Sequence, residues 1–599
     1  SVGYGSDALG GVIHYYTRNP LINSEDKIKT QFSSDFSSAN TASINSISTE
    51  LSFKKWASLT SISHSNFGDI RMGKNRRYGY DQWGLTPFYS TNDRTSFSPT
   101  PLKNENPLIQ KNTGYDQIDL MQKFLVQLGG QNQFILNLQY SNSSDISRYD
   151  KLVEERNGSL RYAEWYYGPQ KRFLISPQLK IFPEKKLLNS GKITFAFQKL
   201  EESRNNRFFN SLTRSFQREN VNALSLNGDF EFQIKEDHSF SYGFEGVFND
   251  VSSYAHKYDL ILQQNEIVGS SPNLPIPTRY PSRGSSYGSY ADHLNRIWDL
   301  NSQLTLNAGL RLTSTHLRGK WGESYNVNAL LSSVRLDAEA LTETLALTYR
   351  PNKKTQWNAI LSNGFRNPNI DDVGKIRESR GTLIVPNPML FPEYAYNFEV
   401  GLTKYLNQPK NYFSLRGFTT LLSRHIGRDA FTIFADQSTP SMNTILYNGE
   451  ELSTFANNNL GNRYILGGSI DGNFSFTDKL SLRGDLNIIE AAKSMKYGPL
   501  PSISPVFGNL VLTYQKEAWF ASMRYQFSGS KAPEDYSEGG EDGLDETPLI
   551  SEDPELYAGT PAWSELSLLS QYQWNDKIHL RMGLDNIFDV HYRSFASGI

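Results

Sequence analysis

Period-two alternation in long runs constrains this chain more than any other feature. From Leu304, the apolar Leu304, Leu306, Ala308, Leu310 and Leu312 alternate with Thr305, Asn307, Gly309 and Arg311. From Leu480, the apolar Leu480, Leu482, Leu486 and Ile488 oppose Ser481, Arg483, Asp485 and Asn487. Near the end, Ile578, Leu580, Met582 and Leu584 oppose His579, Arg581 and Asp585. Such a pattern gives a strand with one apolar and one polar face, and no helical period is sustained over a similar length. The runs last about 9–12 residues, enough to cross a bilayer as a tilted strand. Ordinary soluble strands are about five or six residues long.

No stretch of about 18 apolar residues occurs, which excludes a transmembrane helix. A mean hydropathy of -0.52 is no obstacle to spanning strands, whose two faces average out as polar. With 33 Tyr and 35 Phe the chain is rich in aromatics, as interfacial girdles require. An aromatic-rich β-sandwich or propeller would share that composition, and the connections separate the readings. Short polar turns, among them Lys54-Lys55, Lys235-Glu236-Asp237, Thr477-Asp478-Lys479 and Asn575-Asp576-Lys577, carry turn-forming residues. Between them lie long connections near 68–116, 144–170, 253–282, 315–340, 364–393, 424–460 and 530–561. The reading is strict alternation of tight turns on one side with long loops on the other, the mark of an outer-membrane barrel.

The expected fold is all-β: a transmembrane antiparallel β-barrel. Counting gives roughly twenty-one strands, and bacterial single-chain barrels have even numbers, so about 22 are expected in the full protein. Residues 1–22 read as a separate, glycine-rich element containing a strand-like run from Val12 to Tyr16. Residues 23–599 read as the barrel, with its last strand missing.

The formal net charge of -2, without a basic stripe, argues against a nucleic-acid partner. The absence of cysteine removes disulfides, thiolate metal sites and cysteine nucleophiles. Nine histidines are scattered, with no helical i, i+4 pair, so no metal site and no cofactor are expected. No Ser/His/Asp set stands out, and the chain is not read as an enzyme. A barrel enzyme would show such a set, and a soluble adhesin would lack the sorted loops. The connection at 530–561 is acidic; it lacks the spacing of a calcium loop and reads as a solvated face.

Three motifs carry a resemblance. Gly5, Ser6, Asp7, Gly10 and Gly11 lie in a segment from Tyr4 to Ile13 that precedes the barrel pattern. Its G-x-G-x-x-A match lacks the strand–helix context of a dinucleotide site. In the long connection at 364–393, the seventh surface loop, Phe365-Arg366-Asn367-Pro368 is followed by Val385-Pro386-Asn387-Pro388-Met389-Leu390. Near the end comes Asn586-Ile587-Phe588-Asp589-Val590-His591-Tyr592. These resemble, in order, the end of the plug domain, the two loop boxes and the penultimate-strand signature of TonB-dependent outer-membrane receptors. Asn367 replaces the usual Ala of the first box, and Met389 the usual Asp of the second. For the boxes, loop architecture is favoured over direct ligand contact, since Pro and Asn serve turns first.

The resemblance implies a receptor in the Gram-negative outer membrane that imports a scarce solute with energy from a TonB-ExbB-ExbD complex, contacted through a plug region upstream of this chain. A ferric siderophore is the expected ligand, with haem, then cobalamin, as alternatives. Candidate ligand residues are Trp165 and Tyr166 in the third surface loop, Tyr254, His256, Arg279 and Tyr280 in the fifth, Arg366 in the seventh and His425 in the eighth. Aromatic faces stack on planar chelate groups and Arg forks pair with anionic oxygens. The same mixture suits an interfacial girdle contacting lipid and lipopolysaccharide equally well. Haem-uptake members carry a His between the two boxes; residues 367–388 contain none.

Overall fold

The computed structural model describes residues 9, 11–76, 79–156, 158–183, 188–235, 238–322, 333–379, 381–406, 410–433, 443–447, 450–550 and 556–594. Among these residues one antiparallel sheet holds 24 strands. Three of them, Ile146–Ser147, Tyr162–Tyr167 and Glu266–Pro275, are outer additions to hairpins. The remaining 21 form one continuous ladder, each paired with the next in chain order. They are β1 (Ile28–Ser37), β2 (Ala42–Ser52), β3 (Trp56–Phe67), β4 (Tyr115–Gln127), β5 (Gln133–Ser143), β6 (Lys171–Ile181) and β7 (Leu188–Phe208). Next come β8 (Thr213–Lys235), β9 (His238–Gln263), β10 (Ser285–Asn301), β11 (Leu304–Lys320), β12 (Ser333–Asn352), β13 (Thr355–Arg366) and β14 (Glu393–Tyr405). The last are β15 (Tyr412–Ser423), β16 (Arg463–Ser475), β17 (Leu480–Ala491), β18 (Phe507–Lys516), β19 (Trp519–Ser528), β20 (Trp563–Gln573) and β21 (His579–Leu584).

The polarity of this wall is the inverse of a soluble protein's. On β11, Arg311, Thr313 and Thr315 are 1%, 3% and 4% exposed, whereas Leu310 and Leu312 are 43% and 62% exposed. Arg311 turns inward and reaches Glu245 of β9 at 3.2 Å. Polar residues face the lumen and leucines face outward, as hydrocarbon on the outside demands. Aromatic pairs gather at the short-turn ends: Phe53 with Trp56, Tyr405 with Tyr412, and Trp519 with Tyr572. These amphipathic rings sit where hydrocarbon gives way to headgroups.

Two expectations need correction. Alternation of short and long connections is not strict, because the outer connections at 38–41 and 209–212 are short turns. Spanning runs are not uniformly 9–12 residues either: β7, β8 and β9 have 21, 23 and 26 residues. Here the ladder continues outward, since pairing satisfies backbone groups in water as well as in lipid. The upper parts of the regions read as loops at 253–282 and 315–340 are strand for the same reason.

The described part of the first segment meets the lumen side of the wall. Among its described residues Val12 to Tyr16 forms no strand, and Ile13, Tyr15 and Tyr16 are exposed. Gly5, Ser6, Asp7 and Gly10 lie outside the described residues. The tether comes just after. Lys123 Nζ on β4 donates to Thr17 O at 2.9 Å and to Asn19 Oδ1 at 2.8 Å. Leu21 N donates to Glu50 Oε1 at 2.6 Å, and Ser52 Oγ to Leu21 O at 2.7 Å. Glu50, Ser52 and Lys123 are all buried on the lumen side. At the far edges, β1 and β21 each pair on one side only among the described residues.

This topology puts Glu541 at the loop end and Lys479 at the turn end. In a chain with no native cysteine, an impermeant thiol reagent on intact cells should label E541C and spare K479C. Labelling of position 479 alone would mean the barrel is inverted.

Candidate functional site

The seventh surface loop is the hub over the barrel mouth. It leaves β13 at Phe365, which is fully buried, and turns at once into a short helix, α1 (Ile370–Val373). Asn369 caps this helix: its Oδ1 accepts from Asp371 N at 2.8 Å and Asp372 N at 3.1 Å, and Asp372 Oδ2 accepts from Asn369 N at 3.0 Å. This reciprocal arrangement is a capping box, which satisfies donors a helix start otherwise leaves open. Arg366 Nη2 donates to Asp372 Oδ1 at 2.5 Å, and Asn367 Nδ2 to Thr315 Oγ1 of the wall at 2.6 Å. Asn367 therefore holds the loop to the barrel by a contact that Ala could not make.

The second box is joined to the first through the strand Glu450–Asn459 of the eighth loop. Asn387 Nδ2 donates to Asn457 O at 2.8 Å and Asn458 Oδ1 at 3.0 Å, and Asn457 Nδ2 to Asp372 Oδ1 at 3.2 Å. Two small apolar clusters support the hub: Leu317, Trp321, Val334, Val373, Leu390 and Ile426 on the wall side, and Ile376, Leu383, Val385, Ile433, Leu452 and Ala456 on the other. Burial raises the Asp372 carboxyl, and the Arg366 guanidinium opposes that.

Beside the hub basic side chains gather, and this cluster is the basic chamber. Asp371 accepts from Tyr280 Oη at 2.7 Å, lies 3.5 Å from Arg279 and pairs with Lys375. The Arg279 guanidinium lies over the Tyr280 ring, 5.3 Å from its centroid. Arg148 from the third loop lies over Trp165 at 4.8 Å and pairs with Asp150 at 2.9 Å. Burial, then the charges of Arg148, Arg279 and Arg428, hold Arg377 below the usual guanidinium range. Burial pushes the Lys375 ammonium down, with Arg279 and Arg377 adding to the effect against Asp371. The Nε atoms of Arg279 and Arg428 are buried without a hydrogen-bond partner. Buried donors left open in a cationic enclosure are suited to an anionic ligand.

Of the residues expected to contact ligand, Arg279 and Tyr280 meet in this chamber, and Trp165 joins them through Arg148. Arg366 is committed to Asp372. Tyr166 is 7% exposed and lies under Arg94 at 5.4 Å, so it belongs to the packing of the third loop. Tyr254 and His256 alternate with the lumen-facing residues of β9 and stand on the outer face beside Phe216. His425 is 8% exposed, with Nδ1 3.4 Å from Glu393, whose other contact is Ile426 N at 2.7 Å. Arg148, Asp371, Lys375, Arg377 and Arg428 were not singled out from sequence. Charged residues flanking the first box could have flagged Asp371, Lys375 and Arg377. The approach of Arg148 and Arg428 is a product of the fold.

The last motif is a clasp. Asn586 and Asp589 hold positive φ values of 48° and 47°, a region these two types enter more easily than most. Asn586 closes the turn on Val590 through both its side-chain atoms, at 3.0 and 3.1 Å. Asp589 O accepts from Asn75 N at 2.8 Å, and Phe588 O from Asn75 Nδ2 at 2.7 Å, tying in the second loop. Tyr592 stacks on Trp563 at 4.1 Å, and Trp83 meets His591 edge-on at 4.5 Å. The acidic tenth loop is partly spent on structure, with Lys531–Asp542 at 3.1 Å and Arg593–Glu546 at 2.7 Å. Among the described residues no three His, Asp or Glu converge as metal ligands.

A family model described as TonB dependent receptor-like, beta-barrel, matches residues 59–587. No curated protein matches the sequence. Several solved structures share the fold. A copper transporter, OprC, aligns with a TM-score of 0.70 at 13% identity, over 96% of this chain and 77% of that one. The ferric enterobactin receptor PfeA of Pseudomonas aeruginosa, with enterobactin bound, gives 0.67 at 13% identity, over 98% and 79%. The Serratia marcescens hemophore receptor HasR, solved with its hemophore and heme, gives 0.62 at 14%, over 96% and 80%.

Two outcomes follow from these contacts. Burial, helped by Arg76, depresses His591 to about 4. Because its folded value lies below the unfolded one, its contribution is complete above about pH 6.5 and lost as pH falls toward 4. The clasp should therefore loosen in that window, by up to about 3 kcal/mol. Amide exchange at Asn75 and His591 measures this, and His591→Gln should flatten the dependence. Arg207 and Glu164 pair at 2.7 Å with both side chains fully buried, and Arg214 joins Glu164 at 2.7 Å. Glu164→Gln should cost about 3–5 kcal/mol locally, read as early proteolysis of the third loop from an intact barrel.

Proposed function

The chain belongs to the TonB-dependent receptor β-barrel family, and on that premise we propose that it binds a ferric siderophore in the basic chamber and imports it. The family places it in the Gram-negative outer membrane as a transporter, not an enzyme, and implies interaction with TonB. The observation that carries the ligand reading is the crowding of Arg148, Arg279 and Arg428 about Arg377, with Arg279 over Tyr280 and the Nε atoms of Arg279 and Arg428 left open. Anionic oxygens around a ferric ion would pair with the guanidiniums, and a flat chelating ring would lie against Tyr280. Haem is the weaker reading, since of the two histidines among the candidate ligand residues His256 faces outward and His425 is buried. Under the same reading, residues 1–22 end a plug.

Purified full-length receptor should show saturable quenching of Trp fluorescence by a ferric siderophore. The double variant Arg279→Ala/Arg377→Ala should weaken it about tenfold or more with the barrel folded. Removing residues 369–385 should abolish uptake while leaving surface abundance normal. A response confined to cobalamin or an oligosaccharide would rule out the iron reading.

A further inference from the structure

A cavity of about 1180 Å³ opens among the second, third, seventh, eighth and tenth loops, and its chemistry is opposite to that of the basic chamber. None of Arg148, Arg279, Arg377, Arg428 or Tyr280 lines it. Among the described residues seven carboxylates line it, against two cations, Arg156 and Arg161. Several of these acids have partners in the wall: Asp150 with Arg148, Glu154 with Lys151 and Arg161, Glu450 with Arg156 and Arg161, and Glu546 with Arg593. Asp81, near Arg76, and Glu155 are exposed and make no ion pair among the described residues. The negative excess therefore concentrates on these two.

Two independent observations point the same way. Gln110 lines the cavity, is 4% exposed, and its Oε1 accepts no hydrogen bond. An acceptor buried without a donor costs about 1–3 kcal/mol, a cost that a donating ligand removes. Burial pushes the Tyr149 phenol up to about 12, with Asp150 and Glu546 adding to the effect and Arg593 opposing it. Tyr80, Trp83, Tyr149 and Tyr557 supply aromatic surface, and Trp83 is held by Nε1 donating to Glu546 O at 3.1 Å. Among the described residues no three acids meet at a point, so the cavity is not shaped for a bare metal ion. Dispersed acceptors alternating with ring faces suit a cation carried on an extended body.

We propose that this cavity is a binding site for an organic cation, an ammonium or guanidinium group borne on a flat apolar framework. The site is separate from the anion-binding chamber and would hold its ligand whether or not that chamber is filled. The test uses the full-length receptor in detergent and dansylcadaverine, a fluorescent primary amine with an aromatic body. Saturable fluorescence enhancement is expected, about tenfold weaker for the N-acetylated neutral probe and for Asp81→Asn/Glu155→Gln. The affinity of the cationic probe alone should fall with added salt. A ferric tris-catecholate should leave the titration unchanged. Equal binding of charged and acetylated probes, equal binding by the folded variant, or no saturable binding would overturn the proposal. Full competition by the ferric complex would overturn the separateness of the site. Loss of ferric binding with retention of the probe would sink only the iron reading.

Discussion

Hydrocarbon offers no partner for a backbone N–H or C=O, and the whole molecule follows from that. The wall must be a ladder in which every strand pairs with its neighbours, and consecutive antiparallel pairing is the simplest way for one chain to build it. Once the ladder is in place, side chains sort by alternation. Leucines such as Leu310 and Leu312 go to lipid, and Arg311 goes inward, where Glu245 receives it. A lumen lined with charged and hydroxyl groups is thus the by-product of a strand that must be greasy on one face only.

Above the membrane the chain solves a different problem. The loops are long and polar, and they pack with little apolar core; two small clusters support the seventh and eighth loops. Order comes instead from polar groups buried in pairs and short networks. Asn369 and Asp372 cap each other across a helix start, Asn367 pins the box to the wall, and Asn387 and Asn457 join the two boxes. Arg207, Glu164 and Arg214 do the same for the third loop. Networks of this kind are costly if half-satisfied, so they specify one arrangement more sharply than apolar contact would. They also leave some buried polar atoms without a partner among the described residues.

Three open groups stand at places of opposite charge. Arg279 and Arg428 present bare Nε donors in one, and Gln110 presents a bare acceptor in the other. The loop boxes border the first enclosure without forming its contact surface. Arg366 illustrates this: its fork is occupied by Asp372, so it acts by placing α1, which carries Asp371 toward Tyr280 and Lys375.

Alternation at Leu304–Leu312 and Leu480–Ile488 determined the all-β wall, its inside and its outside, because a period of two assigns every residue to a face once pairing is assumed. Turn chemistry located the periplasmic ends, and the motif around Asn586 announced a turn whose positive φ those residues tolerate. Loop numbering and the architectural role of the boxes were also legible. How far the ladder runs was not: nothing in the residues of β7, β8 and β9 marks where lipid ends, since pairing is favourable in both media. Nor could sequence show that Tyr254 and His256 look outward, as a single register position decides a face. Arg148 and Arg377 are far apart in the chain, and Gln110 and Tyr557 are farther still. Only the convergence of loops from different hairpins made neighbours of them, and with that gave each enclosure its charge.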